Sequence, residues 1–99
     1  MIKVSGKIKK IFDSAVYGTF EKRVIWLEEV SEKYPNTFQF ELWNEDIAMP
    51  DSYREGDYVT CYIDLKGKYW DKGDKDGVMN TLKCWNIEKD GKSFKEIKS

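Results

Sequence analysis

Hydrophobic side chains in this sequence recur at every second position, and no stretch carries the spacing of a long amphipathic helix. Alternation of that kind sends neighbouring side chains to opposite faces of an extended strand. The chain is thereby restricted to small sheets that bury one face.

Five runs fit the pattern. Ile2 to Phe12 sets Ile2, Val4, Gly6 and Ile8 against Lys3, Ser5, Lys7 and Lys9, and Phe20 to Val30 sets Ile25 and Leu27 against Val24 and Trp26. Thr37 to Trp43 turns Phe38, Phe40 and Leu42 inward and leaves Trp43 pointing out. After Glu55-Gly56-Asp57, a fourth run turns Val59, Cys61, Ile63 and Leu65 inward and Tyr58, Thr60, Tyr62 and Asp64 outward. The fifth, Val78 to Lys89, changes phase at Cys84-Trp85, which predicts a bulge. Trp85 is expected in the core beside it.

The intervening segments read as punctuation. Asp13 to Thr19 and the glycine-rich Gly67 to Gly77 are expected loops, and Ser31 to Asn36 is a turn through Pro35-Asn36. Asn44 to Tyr53 breaks the alternation, and Asp46 to Met49 fits a single helical turn closed by Pro50. Residues 90–99 read as a short tail or a strand extension.

A five-stranded sheet of this size must hide its edges, and a mid-strand glycine such as Gly6 permits the sharp coiling that closure needs. The expected fold is all-β, a five-stranded Greek-key barrel of the OB type with a short helical connector between the third and fourth strands. An SH3-like barrel or an open meander shares the periodicity. The 99 residues leave room for one domain, 1–99.

Composition narrows function by subtraction. The sequence has no histidine, and its two cysteines, Cys61 and Cys84, fall in apolar runs where buried thiols are expected. No zinc ligand set, no redox pair and no cofactor is indicated. Glu28 and Glu29 point to opposite faces of one strand, so no carboxylate pair is formed there and an enzyme is not expected. The alternating Asp71, Asp74 and Asp76 lack the later glutamate of a calcium loop. No leader-like or membrane-spanning apolar run occurs, so a cytoplasmic location without membrane contact is expected.

What remains is aromatic. Rings make up 15% of the residues, more than so small a core consumes, while the formal net charge is −1, so any phosphate-binding surface must come from local segregation of charge. Trp26 and Trp43 fall on outward phases, and Tyr69 and Trp70 fall in the expected hairpin tip among Lys66, Lys68 and Lys72. Lys22 and Arg23 precede Trp26. Rings interleaved with cations are what a single-stranded nucleic acid requires, since each base has a face to stack and each nucleotide a phosphate. Arg23 adds a planar guanidinium suited to both tasks. Tyr17 and Phe20 fit the opposite rim of such a cleft, and Phe20 fits equally a staple of the first loop to the core.

The run Tyr34-Pro35, Phe38, Phe40-Glu41 and Trp43, followed by Glu55-Gly56-Asp57 with Val59 and by Leu82, Trp85 and Ile87-Glu88-Lys89, resembles a family of small uncharacterised OB-fold proteins of bacteria and phages. More distantly it is similar to bacterial single-stranded DNA-binding proteins. The resemblance implies base-stacking positions at Trp43 and Trp70, sequence-tolerant binding of single-stranded DNA, or of RNA, and work in DNA replication, repair or recombination. A homodimer or higher homo-oligomer is open to the chain, but no stretch matches the tetramer interface of those proteins. The C-terminus Lys95-Glu96-Ile97-Lys98-Ser99 departs from the acidic tail of those proteins. The alternative from another class is a protein-interaction OB module, an oligomerising subunit or a phage-encoded inhibitor, whose outward rings form a dry interface.

Overall fold

The computed structural model describes residues 2–30 and 33–89. The expected tail or extension at 90–99, and the first part of the turn at 31–36, lie outside them. Six strands are present: β1 (Ile2–Ile11), β2 (Ala15–Tyr17), β3 (Phe20–Glu29), β4 (Thr37–Trp43), β5 (Tyr58–Asp71) and β6 (Asp76–Lys89). Five are the expected ones. The sixth, β2, replaces part of the predicted loop at 13–19: Gly18, at φ 66°, turns the chain so that Ala15–Tyr17 pairs back on Phe20–Lys22.

Closure follows from β3. One edge of β3 pairs with β4, while the other is shared between β1 and the short β2. Because β1 also pairs with β5, β5 with β6, and β6 in parallel with β4 at Glu41↔Lys83, the ring β1–β5–β6–β4–β3–β1 is complete. That is the Greek-key OB barrel expected from the periodicity. Gly6 makes the closure sterically feasible: it pairs with Glu29 on one side and Val59 on the other, and a Cβ there would collide with the Glu28 carbonyl oxygen.

Inside the ring Ile8, Ile25, Leu27, Phe40, Leu42, Val59, Cys61, Ile63, Cys84 and Ile87 are buried, drawn from all five long strands and, in β1, β3, β4 and β5, from the predicted inward phases. Burial of apolar surface on this scale is the main favourable term of the fold. Cys61 and Cys84 are free thiols within it. The hydrogen bond with Cys84, reinforced by burial, pushes the Cys61 thiol well above the ordinary range. The connector forms two 3-10 turns, Asn44–Asp46 and Met49–Ser52, rather than one helical turn over 46–49, and Pro50 is a buried residue near the start of the second. A proline lacks the N–H that the first turn of a helix leaves unused, so it suits that place.

The expected loop at 67–77 does not exist as a loop. β5 and β6 stay paired from Val59↔Lys89 to Asp71↔Asp76, forming a long two-stranded arm closed by a tight turn. There Gly73 adopts φ 90°, its N–H donates to Asp71 Oδ1 at 2.8 Å, and the Lys72 N–H donates to the Lys75 carbonyl at 2.8 Å. The glycines and alternating charges that resembled a loop belong to a hairpin whose strands outrun the barrel. Leu65, expected in the core, is therefore 65% exposed, since its inward phase continues past the last core layer. Trp85 is a second correction. Between Tyr62↔Asn86 and Ile63↔Cys84 the register skips it, so the predicted bulge is real. The extra residue turns outward, half-buried, with its ring 5.4 Å from that of Tyr62.

Candidate nucleic-acid interface

The outer face of β3 and β4 carries Lys22, Val24 and Trp26 against Trp43, Glu41 and Gln39 in register. Trp26 faces Gln39, and Trp43 lies four positions further along β4 on the same face, which separates the two indoles by ~13 Å at the usual strand rise. Each indole is fixed by its own edge. Trp26 Nε1–H donates to Gln39 Oε1 at 3.0 Å, and Trp43 Nε1–H donates to Glu41 Oε1 at 2.9 Å. A phenyl ring then buttresses each one edge-on, Phe12 against Trp26 at 4.9 Å and Phe20 against Trp43 at 5.4 Å. Such contacts hold a ring's orientation without covering both of its faces.

The arm extends this face. Alternation along β5 puts Lys66, Lys68 and Trp70 on one side, with Thr81, Met79 and Gly77 of β6 opposite them, and Lys72 in the turn reaches back to the same side. Trp70 lies across Gly77, where a Cβ would stand 2.5 Å from Cζ2 of the indole, and Lys72 Nζ is 6.0 Å from its ring centroid. Tyr69 takes the other side of the arm, its hydroxyl donating to Asp76 Oδ2 at 3.0 Å. That hydrogen bond raises the phenol above its ordinary range.

Among the described residues, three clefts run along this face. The central one, of about 540 Å³, is walled by Phe20, Trp43, Lys22, Lys66 and Lys68 with Glu41 and Met79. A second, about 310 Å³, holds Trp26, Phe12, Tyr17 and Lys22. The third, about 380 Å³, holds Trp70, Lys68, Lys72 and Met79. Lys22 belongs to the first two, and Lys68 and Met79 to the first and third, so the clefts join end to end with one tryptophan in each.

Of the residues singled out in the sequence, Lys22, Trp26, Trp43, Lys66, Lys68, Trp70 and Lys72 thus share one surface. Tyr69 and Arg23 do not. Arg23 has the inward phase of Ile25 and Leu27, and its guanidinium is engaged at the barrel end: Nε donates to the Phe12 carbonyl at 2.7 Å, and one terminal nitrogen donates to the Ile47 carbonyl and Asp51 Oδ1, both at 2.9 Å. It clamps the connector to the barrel. Sequence reasoning passed over Lys10 and Phe12, and set Lys83 beside Trp85 in the chain rather than with Trp43. An irregularity between Ile8 and Lys10 reverses the phase of β1, setting Lys10 opposite Trp26 with Nζ 5.6 Å from its ring. Lys83 reaches over Trp43 at 5.4 Å through the parallel β4–β6 contact, which leaves no local trace in sequence. Phe12 and Phe20 carry a signal, each being an aromatic at the end of a strand.

Charge is segregated as the near-neutral total requires. Lys7 and Lys9 are paired with Glu28, while among the described residues Lys66 and Lys68 make no ion pair. No cluster of three or more His, Cys, Asp or Glu among the described residues is placed to hold a metal ion.

A closed Greek-key barrel with a protruding hairpin and an aromatic, lysine-lined face defines the class as a small OB-fold domain. The chain belongs to the family of the domain of unknown function DUF3127, whose model matches residues 3–88. Among solved structures it is similar to Rim1, described as a mitochondrial single-stranded DNA binding protein of S. cerevisiae. One crystal structure of Rim1 (Form 2) matches with TM-score 0.68 and 18% identity over 89% of this chain and 91% of that one. Its selenomethionine-labelled counterpart gives TM-score 0.68 and 16% identity over the same shares. A search of curated proteins found no match. At such identities the likeness establishes the OB fold.

Proposed function

We propose that this protein binds single-stranded DNA without strong sequence preference, stacking bases on Trp26, Trp43 and Trp70 while Lys22, Lys66, Lys68 and Lys72 neutralise phosphates. The observation that carries the reading is the continuity of three clefts, one tryptophan in each, joined by Lys22 and Lys68. A base stacks on any exposed ring face regardless of identity, and lysines need no exact geometry to meet a phosphate. A duplex hides its base faces, so single strands should be preferred. The likeness to Rim1, a single-stranded DNA binding protein, supports the same reading.

Titration with oligo-dT, followed by tryptophan fluorescence at two salt concentrations, tests it. Strong quenching and a fall in affinity with salt are expected, with weaker binding to duplex and an RNA oligonucleotide deciding sugar preference. Affinity indifferent to salt, or a preference for duplex, would sink the proposal.

One observation favours protein interaction as a second role. The opposite side of the arm carries Leu65, Tyr69 and Val78, each more than 60% exposed. An apolar stripe turned away from the lysines leaves room for a protein partner while a strand is bound.

A further inference from the structure

Glu41 stands within a cleft whose charged residues are otherwise Lys22, Lys66 and Lys68, and a phosphate-binding surface gives no evident reason for a carboxylate there. It is well anchored. In the sheet it pairs with Val24 on one side and Lys83 on the other, and its side chain is only 19% exposed. The two oxygens divide their work: Oε1 accepts the Trp43 Nε1–H at 2.9 Å, and Oε2 faces Lys22 Nζ at 3.6 Å. Lys83 reaches over the Trp43 ring instead. One acid therefore holds a ring and a cation of the same cleft.

The consequences for the two differ. Swinging the Trp43 indole away from its buttress at Phe20 would break the hydrogen bond to Glu41, so the carboxylate keeps the ring in one orientation. Lys22, by contrast, is already partnered, and must leave Glu41 before it can meet a phosphate. We infer that Glu41 is a positioning residue that orients Trp43 for stacking and also competes with nucleic-acid phosphate for Lys22. This rests on the single-strand reading above. Binding exchanges a protein carboxylate for a backbone phosphate at Lys22, so that contact adds little affinity and little salt dependence. Lys66 and Lys68, which have no such partner, contribute in full.

The test compares wild type, Glu41→Gln, Lys22→Gln and the double variant in oligo-dT titrations over a salt series. Glutamine keeps an oxygen for the indole N–H and removes the charge. Glu41→Gln should bind roughly two- to five-fold more tightly, the scale of one exposed ion pair. Its log–log salt slope should steepen by about 0.7, the contribution of one additional single-strand phosphate. Maximum quenching should match wild type, because Trp43 remains held. In the Lys22→Gln background the gain should vanish.

Unchanged affinity and slope in Glu41→Gln would overturn the inference while leaving the single-strand reading intact, as would a gain that persists without Lys22. If no variant, wild type included, binds oligo-dT at the lowest salt, the reading falls and the inference with it. Should Glu41→Gln not fold, Lys22→Gln and Lys66→Gln decide the matter. The partnered Lys22 should cost less affinity than Lys66, and equal losses reject the competition.

Discussion

Phe40 and Trp43 lie three positions apart on β4, so they face opposite sides of one strand and answer to different forces. Phe40 is 1% exposed in the barrel interior, whereas Trp43 is half-buried on the outer face, where Phe20 and the Glu41 carboxylate hold it. Phe40→Ala should lose ~3 to 5 kcal/mol of stability, because the barrel cannot collapse around so large a cavity. Trp43→Ala should cost about 1 kcal/mol of stability, the scale of one edge-on aromatic contact. It should remove ~1 to 3 kcal/mol of oligo-dT affinity. Denaturant unfolding and fluorescence titration of both variants check the split, and a large stability loss in Trp43→Ala would mean that the ring packs rather than binds. Trp85 belongs between these extremes. Its bulged position turns the ring outward onto Tyr62, although its Nε1 is buried without a hydrogen-bond partner among the described residues.

At the scale of the element, the arm decides how far the aromatic face extends. A two-stranded ribbon is marginal alone, but here β5 and β6 are continuous with barrel strands and inherit their register. The side bearing Lys66, Lys68, Trp70 and Lys72 then continues the face of Trp43. Gly77 is the hinge of that arrangement, because only a residue without a Cβ lets the Trp70 ring lie flat on β6. In Gly77→Ala the added carbon would meet Cζ2 and lift the indole. The thermal midpoint should change little, since the arm lies beyond the core. Oligo-dT affinity should fall by up to ~1 to 3 kcal/mol, the value of one stacked base. Affinity equal to wild type would show that Trp70 takes no base, leaving the third cleft outside the binding track.

At the scale of the whole molecule, everything depends on closure of the ring, and closure narrows to one residue. Gly6 has β3 on one side and β5 on the other, and the Glu28 carbonyl occupies the space of its missing Cβ. The obstruction is backbone, so it cannot rotate away. Gly6→Ala should therefore lower stability by ~1 to 3 kcal/mol, the range for overpacking a tight site. Backbone amides of β1, β3 and β5 should lose hydrogen-exchange protection together, since one seam joins them. Loss confined to the arm would refute the dependence of closure on Gly6.

The sequence by itself determined the inward phases of β1, β3, β4 and the barrel part of β5, the bulge at Cys84-Trp85, the glycine in β1 and the outward phases of Trp26 and Trp43, because a pleated strand writes its two faces into a two-residue period. The same period carried a warning about Arg23, which shares the phase of Ile25 and Leu27 and is drawn in with them at the barrel end. Only the tertiary structure decided where a strand stops being core. Leu65 and Ile63 have the same phase, and one is exposed solely because the barrel ends between them. Tertiary structure also decided that Lys83 meets Trp43, and that Lys22 and Lys68 link three tryptophans from three strands. Those contacts depend on a parallel pairing of β4 with β6, residues some forty positions apart. Such partnerships arise from the closure of the whole sheet, and no local pattern of side chains records them.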